Sequence, residues 1–382
     1  MNSFSFTIPQ NIVVGAGSLK RLPELAKNLK KSKAYIISGP HLEKIGMVDK
    51  CREALKAAGI ESDSFTQTEG NPSTDTVAKA AEGFKSSKAD FIVAFGGGSP
   101  LDVAKAVAVI ASYGGNITDY EGGGKVPGPV VPMIAIPTTA GTGSEVTAFS
   151  VITDHSRNYK LTVVSNYLLP AYAILDPELI TTVPKSTAAA CGIDAMVHAL
   201  EAFISKAASP FSDLFAKEAL RLIGTSIRDY VLDRSNLAAC ESMLTGSLFA
   251  GIAFSHARLG DVHAMSHPVS AYFDVAHGVA NAVLLPTIVD YNMTYASEKY
   301  KYIYDCICEK PLSDDTFTPE MLAAEIRVLN DELGIPSSLS EVGVDSSLFD
   351  KMADDAMKSG NILVNPRPTT KKDILALYAQ AF

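Results

Sequence analysis

Short apolar runs alternate with amphipathic stretches from the N-terminus to about Pro184, and beyond that point almost no strand signal remains. KAYIISG (33–39), ESDSFTQ, ADFIVAF (89–95), VPMIAIP and AYAILDP read as strands. After Asp90, ADFIVAF is apolar without a break, as expected of a parallel strand buried on both faces. Between these runs, EKIGMVDKCREALKAAGI, STDTVAKAAEGFKSS and PLDVAKAVAVIAS read as helices. Ser73 or Thr74 is placed to cap the second, after the turn-forming Asn71-Pro72 pair. VTAFSVITD and YKLTVVS flank the turn-prone HSRN and predict a hairpin. After Val183-Pro184, the stretches TAAACGIDAMVHALEAFIS, FSDLFAKEALRLIGTSIRDYVLD and NLAACESMLTGSLFAGIAFSHA all read as helices. The pattern predicts an α/β domain over 1–183, with a parallel sheet covered on both faces, and an all-α domain over 184–382. No internal repeat or low-complexity segment interrupts it.

Composition narrows the function classes. A chain of 382 residues with 47% hydrophobic and 20% charged residues is globular and long enough for two cores. Thirty-three basic against 42 acidic residues give a net charge of −9, without a basic run, which argues against nucleic acid and anionic membranes as partners. No uninterrupted apolar run reaches the ~20 residues that span a bilayer. MNSFSFTIPQ lacks the basic and apolar regions of a secretory signal. Five cysteines, an odd number without a framework, fit a reducing cytoplasm, where this chain is expected. Cys306-x-Cys308 reads as part of an ordinary helix.

Histidine is unevenly spread. Four of the seven (His256, His263, His267, His277) fall within 256–277, and His198 follows Asp194 by four residues. Residues i and i+4 share a helix face, so Asp194/His198 and His263/His267 are two ready-made ligand pairs. Imidazole is the commonest protein metal ligand, and one ion between the pairs explains the crowding. Spacing leaves open whether His267 or His277 completes the set.

Two glycine loops supply a second chemistry. Gly96-Gly97-Gly98-Ser99 leaves a predicted buried strand and enters a predicted helix. Glycine allows close backbone approach and helix N-terminal N–H groups attract anions, so a phosphate is the natural ligand. The loop is neither a Walker A motif nor G-x-G-x-x-G. Thr138-Thr139-Ala140-Gly141-Thr142-Gly143-Ser144 follows the next buried strand. Two such loops at the carboxyl ends of strands outline a ligand crevice. Asp102, in the first helical turn, complements the helix dipole. Lys160 lies on a strand within reach of a ribose or phosphate oxygen.

GGGSPLDVAKAVA, PTTAGTGSEVT, ILDPEL, GIDAMVHALEAFIS and LGDVHAMSHPVSAYFDVAHGVANAVLLP, in that order, resemble the iron-dependent (group III) alcohol dehydrogenases, a family that includes lactaldehyde reductases and propanediol dehydrogenases. The resemblance runs from about Ile12 to the C-terminus. It implies a Rossmann-like NAD(P)-binding α/β domain, a helical domain of the dehydroquinate synthase-like type, and Fe²⁺ in the cleft between them. Carried onto this sequence, Asp194, His198, His263 and His277 are the implied metal ligands, with His267 near nicotinamide and substrate. Gly97, Gly98 and Ser99 would hold the pyrophosphate. Thr138, Thr139, Thr142 and Lys160 would contact the rest of the cofactor, with Phe149 and Leu179 along its cleft. Gly39, Asn71 and Asp102 complete the cofactor set. The implied partners are a small aldehyde or alcohol and further copies of the chain, as a homodimer or higher oligomer.

Coordination chemistry gives an independent view. Three imidazoles and a carboxylate close a tetrahedral zinc site, whereas Fe²⁺ keeps further positions open; the set leans towards iron, with five-coordinate Zn²⁺ the alternative. The expected reaction is reversible hydride transfer between nicotinamide and a small aldehyde or primary alcohol, with His267 passing a proton to solvent. Two departures matter. Gly39 stands where many NAD-preferring members carry Asp, which removes the repulsion of a 2′-phosphate and predicts tolerance of NADP(H). His256 stands where Asn is common, near Arg258, and either one in the cleft would favour an anionic aldehyde. A dehydroquinate-synthase chemistry would need clustered Lys and Arg around the metal segments, where only Lys185 and Arg258 occur. A zinc glycerol-type dehydrogenase needs no fourth ligand, and a non-catalytic binding protein needs no open metal position.

Overall fold

The computed structural model describes residues 6–8 and 10–382. The N-terminal MNSFSFTIPQ, read above for a leader, therefore lies largely outside the described residues. Two compact units emerge: Ile8–Thr139 with Gly143–Thr181, and Thr182–Phe382 with Ala140–Thr142.

The first unit is built on strands β1 (Asn11–Val14), β2 (Lys33–Ile37), β3 (Glu61–Phe65), β4 (Phe91–Gly96), β5 (Gly122–Gly123), β6 (Met133–Pro137), β7 (Phe149–Asp154), β8 (Tyr159–Val164) and β9 (Tyr172–Leu175). Six of them form one parallel sheet in the order β1-β9-β6-β4-β2-β3. Its interior strands are apolar on both faces because both faces are covered. Tyr35, Ile37, Ile92, Ala94, Met133 and Ala135 enter one core, whose cover includes Thr74–Ser87 and Gly98–Tyr113. Ala34, Ile36, Phe91, Val93, Phe95, Ile134 and Ile136 enter the other, under Leu22–Asn28 and Met47–Ala57. The alternation follows from the two-residue period of a strand. From β2 the chain proceeds to β3 at one edge, and from β4 to β6 on the opposite side, so the direction reverses between two neighbouring strands. In open α/β sheets that reversal marks the ligand crevice. The hairpin also forms: β7 and β8 pair antiparallel, Phe149 opposite Val164.

Three local readings need correction. The stretch read as one helix after β2 is two, Pro40–Lys44 and Met47–Ala57, because Gly46 takes a left-handed conformation (φ 74°) that no continuous helix contains. β1, an edge strand with the burial pattern of a half-exposed segment, gave too weak an apolar signal to be read. Ser73 alone is the cap, accepting from the Thr76 N–H.

Among the described residues the second unit contains no strand. Its central helix, Lys185–Ile204, is buried on nearly all sides from Ala188 onwards. Pro210–Leu232, Leu237–Ala257, Asp261–Phe273 and His277–Ile307 follow. Counting uninterrupted apolar residues understated two of these. Lys185–Ile204 and Leu237–Ala257 are long and apolar enough to cross a membrane by length and composition. Most of each is buried inside the protein, as helices at the centre of a core are.

Candidate metal centre and cofactor loops

Asp194, His198 and Glu201 recur at four and three residues along Lys185–Ile204, which stacks them on one face of a helix that is otherwise mostly apolar. His263 lies on Asp261–Phe273, and His277 opens the next helix. One donor atom from each of Asp194, His198, His263 and His277 lies within 4.8 Å of every other. Asp194 Oδ1 is 3.8 Å from His198 Nε2, 3.8 Å from His263 Nε2 and 3.9 Å from His277 Nε2. Donors about 2.0–2.2 Å from a common ion stand roughly 3–4 Å apart, so the spacing fits one divalent ion. Three of the four side chains are buried, and His277 keeps about a quarter of its surface exposed (25%).

The surroundings aim these donors. Glu201 Oε2 accepts from His263 Nδ1 at 2.6 Å, and Glu201 Oε1 accepts from the Val262 N–H at 2.7 Å. His198 Nδ1 faces the Gly141 carbonyl at 3.2 Å. With Nδ1 engaged in each ring, Nε2 is left to point at the shared centre. Gly141 reaches that position because it has no side chain: a Cβ there would lie 2.8 Å from Cys191 Cβ. The Asn281 amide nitrogen donates to Asp194 Oδ1 at 2.6 Å and lies 3.1 and 3.2 Å from Nε2 of His263 and His277. Asn281 Oδ1 is buried without a hydrogen-bond partner among the described residues. Burial pushes the Glu201 carboxyl up to about 7, against the opposing pull of the backbone N–H groups around it.

Sequence reasoning named all four donors and missed their supports. Glu201, three residues after His198, and Asn281, four after His277, repeat the helical spacing that singled out the ligands. Gly141 carried no such signal, having been read as part of a phosphate loop. His267 lies half-buried one turn beyond His263, its ring 5.3 Å from that of His277. His256 is engaged elsewhere in the helical unit. The His256 ring lies 4.1 Å from that of Phe6, with Nε2 facing the Thr7 carbonyl at 3.1 Å. Arg258 is exposed and lies alongside Gly360.

The sheet unit gathers most of the residues assigned to a cofactor. Gly97 caps the sixteen-residue helix that begins with Gly98 and Ser99. A Cβ on Gly97 would stand 3.2 Å from Thr139 Oγ1, so the two glycine loops approach closely. The Thr138 N–H donates to the Gly96 carbonyl at 2.9 Å. A narrow gap lined by glycine backbone and a helix N-terminus fits a pyrophosphate. Lys160 Nζ donates to Asn71 Oδ1 at 2.7 Å, joining two assigned residues 89 positions apart. Asp102 lies just past the first turn of the helix after β4, not in it as the sequence suggested, because the helix begins at Gly98. It is tied to protein groups: its oxygens accept from Ser144 Oγ at 2.6 Å and from the Val151 N–H at 3.0 Å. Phe149 is half-buried, whereas Leu179 sits within the core that contains Val93 and Ile134, not on a surface. Gly39 caps the short helix after β2, with the Thr68 carbonyl 3.2 Å from where its Cβ would stand. Thr142 groups with the helical unit, apart from Thr138 and Thr139.

Comparison with known proteins agrees with this reading of both units. Residues 9–177 match the iron-containing alcohol dehydrogenase domain, and residues 188–382 match the C-terminal domain of the Fe-containing alcohol dehydrogenase family. The chain is similar to a 1,3-propanediol dehydrogenase of Klebsiella pneumoniae, with 38% identity over 382 residues covering 99% of each chain. It is similar to an NAD-dependent methanol dehydrogenase of Bacillus methanolicus at 34% identity, again over 99% of each. The solved structure of a 1,3-propanediol oxidoreductase superimposes with a TM-score of 0.95 at 38% identity, covering all of both chains. Four converging donors, two glycine loops and end-to-end similarity lead to one assignment: the chain belongs to the iron-containing alcohol dehydrogenase family.

Proposed function

We propose that this chain is an iron-dependent, NAD(P)-linked alcohol dehydrogenase that interconverts a small aldehyde and its primary alcohol. The observation that carries the reading is the convergence of Asp194 Oδ1 with the Nε2 atoms of His198, His263 and His277. Iron is favoured over zinc because four protein donors already complete a tetrahedron, and Fe²⁺ takes further ligands. When bound, the ion supplies Lewis-acid polarisation of a carbonyl oxygen and the nicotinamide supplies or accepts the hydride.

The chain's own residues do the rest. Asp194 contributes a negative charge inside a largely buried site, and Asn281 holds that carboxylate through its amide N–H. Glu201 and the Gly141 carbonyl keep two imidazoles in the tautomer whose Nε2 carries the lone pair. His267 carries a proton at an imidazole nitrogen between the alcohol oxygen and solvent, a role suited to a group that titrates near neutrality. Gly97, Gly98 and Ser99 hold the pyrophosphate, with Thr138 and Thr139 against the rest of the cofactor. Gly39 supports acceptance of NADP(H) as well as NAD(H), since no carboxylate stands there to repel a 2′-phosphate. Neutral aldehydes are expected to lead, because His256 is engaged with the Thr7 carbonyl and the Phe6 ring. Family resemblance supports a homodimer or larger assembly; light scattering that gives a monomer mass removes that part.

The test is metal add-back. Metal is stripped anaerobically, Fe²⁺ or Zn²⁺ is returned separately, and NADH and NADPH consumption is followed over neutral and anionic aldehydes. Turnover restored by Fe²⁺ is the expected result. Recovery with Zn²⁺ alone overturns iron and keeps the dehydrogenase; no turnover with either metal overturns the proposal.

A further inference from the structure

Lys105 is fully buried in the sheet unit, and neither the cofactor assignment nor the hydride chemistry uses it. Its ammonium donates to Ser144 Oγ at 2.9 Å, to Thr147 Oγ1 at 3.0 Å and to the Phe149 carbonyl at 2.8 Å. Asp102, one turn earlier on the same helix, binds the same segment. Its carboxylate accepts from Ser144 Oγ and the Val151 N–H, and its backbone carbonyl accepts from Ser150 Oγ at 2.8 Å. Two charged residues on the helix that follows the phosphate loop therefore grip residues 144–151, the exit from the second glycine loop. The entrance is held as well, by the hydrogen bond from Thr138 to the strand end at Gly96. A lysine without access to water is costly unless its donors are met, and here three acceptors meet them. A purely apolar side chain would fill the same volume at less cost, so the ammonium needs a role beyond packing.

We propose that Lys105 is a positioning residue for dinucleotide binding, fixing the second glycine loop against the phosphate-loop helix so that the gap between the loops is preformed. The inference rests on the reading that a dinucleotide occupies that gap. It assigns Lys105 no contact with the cofactor; the lysine acts through Ser144, Thr147 and the Phe149 backbone. A loop held at both ends avoids the ordering entropy that a free loop loses on binding. The ionised form matters, because a neutral amine offers one N–H fewer than the three contacts require. The charged groups facing Lys105 are Asp102 on its own helix and Glu145 on the turn after the loop, with Lys160 on β8 acting on Asp102. Burial lowers the lysine to about 8, opposed by both carboxylates.

Fluorescence titration of NADH and NADPH with the full chain as isolated tests this without turnover. Lys105→Met is expected to weaken the better cofactor about tenfold, and Ser144→Ala, a milder cut in the same junction, about threefold. Affinity of the unmodified chain should decline as pH rises through 8, and that decline should be absent from Lys105→Met. Thermal melts in the absence of cofactor report whether each variant is folded, and Ser144→Ala decides the matter if Lys105→Met is not. Unchanged Kd in folded variants, or the same pH profile with and without the lysine, overturns the inference alone. An unmodified chain that binds neither dinucleotide overturns the cofactor reading and this inference together.

Discussion

Glu201 and His263 form a buried carboxylate–imidazole pair, 2.6 Å apart, each with at most 3% of its side chain exposed. Both carboxylate oxygens face N–H donors, His263 Nδ1 on one side and the Val262 amide on the other. A glutamine must present its NH₂ to one of those donors, so Glu201→Gln is a real perturbation despite its shape. Outer partners of metal-bound histidines are worth roughly 10–100-fold in metal affinity. Glu201→Gln should weaken Fe²⁺ binding by about that factor, read by chelator competition and by metal content after dialysis. Full metal retention by the variant would show that His263 needs no such partner.

Glu145 is buried in the sheet unit, and burial pushes its carboxyl from an ordinary value of 4.5 up to about 7, with Lys105 pulling the other way. Its Oε1 has no hydrogen-bond partner among the described residues. Between pH 4.5 and 7 the unfolded chain releases this proton while the folded chain keeps it. Stability attributable to this group therefore falls as pH rises through that window, and the deficit is complete above 7. Glu145→Gln removes the charge and should stabilise the chain at pH 8 by on the order of 1–3 kcal/mol, with little effect near pH 4. Urea titrations at several pH values measure it, and an equal effect at both extremes would contradict the sign.

Gly39 offers no carboxylate to a ribose 2′-hydroxyl. Gly39→Asp should shift preference towards NADH by at least about tenfold in the ratio of kcat/KM values, on the order of 1.4 kcal/mol. The backbone already has φ −105°, which an aspartate adopts without strain, although the Thr68 carbonyl must yield by a few tenths of an ångström. A ratio that does not move would place the adenosine ribose away from this residue.

His267 sits one turn beyond a metal-ligand candidate on the same helix, outside the group of four converging donors. If it passes the proton, His267→Ala should lower kcat by on the order of 10²-fold near neutral pH while metal content stays intact. Its pH–rate profile should also lose one limb. Full activity across the pH range would leave His267 as a packing residue.

Much of this was legible in the chain before it folds. Unbroken apolar runs such as FIVAF announce strands buried on both faces, because only a doubly covered parallel sheet hides every side chain. The i, i+4 spacing of Asp194 and His198 announces one helix face, since helical geometry is local. Even the missed Glu201 and Asn281 fall at helical spacings, three residues after His198 and four after His277. Their significance was hidden because a polar residue three or four positions along a helix is, in sequence, usually a solvated one.

What required the tertiary structure is everything that depends on distant segments meeting. Spacing could not choose between His267 and His277 as the residue that completes the set, because His277 belongs to another helix and its approach is set by packing, not by periodicity. No local rule joins Asn71 to Lys160, or turns the Gly141 carbonyl from a phosphate-loop atom into the partner of His198 Nδ1. Lys105 reads in sequence as one more lysine on an amphipathic helix. Only the fold shows its ammonium to be dry and surrounded by acceptors contributed by residues 144–149. Local geometry is encoded by neighbours a few residues apart, whereas desolvation and long-range hydrogen bonds exist only once the chain has closed around them.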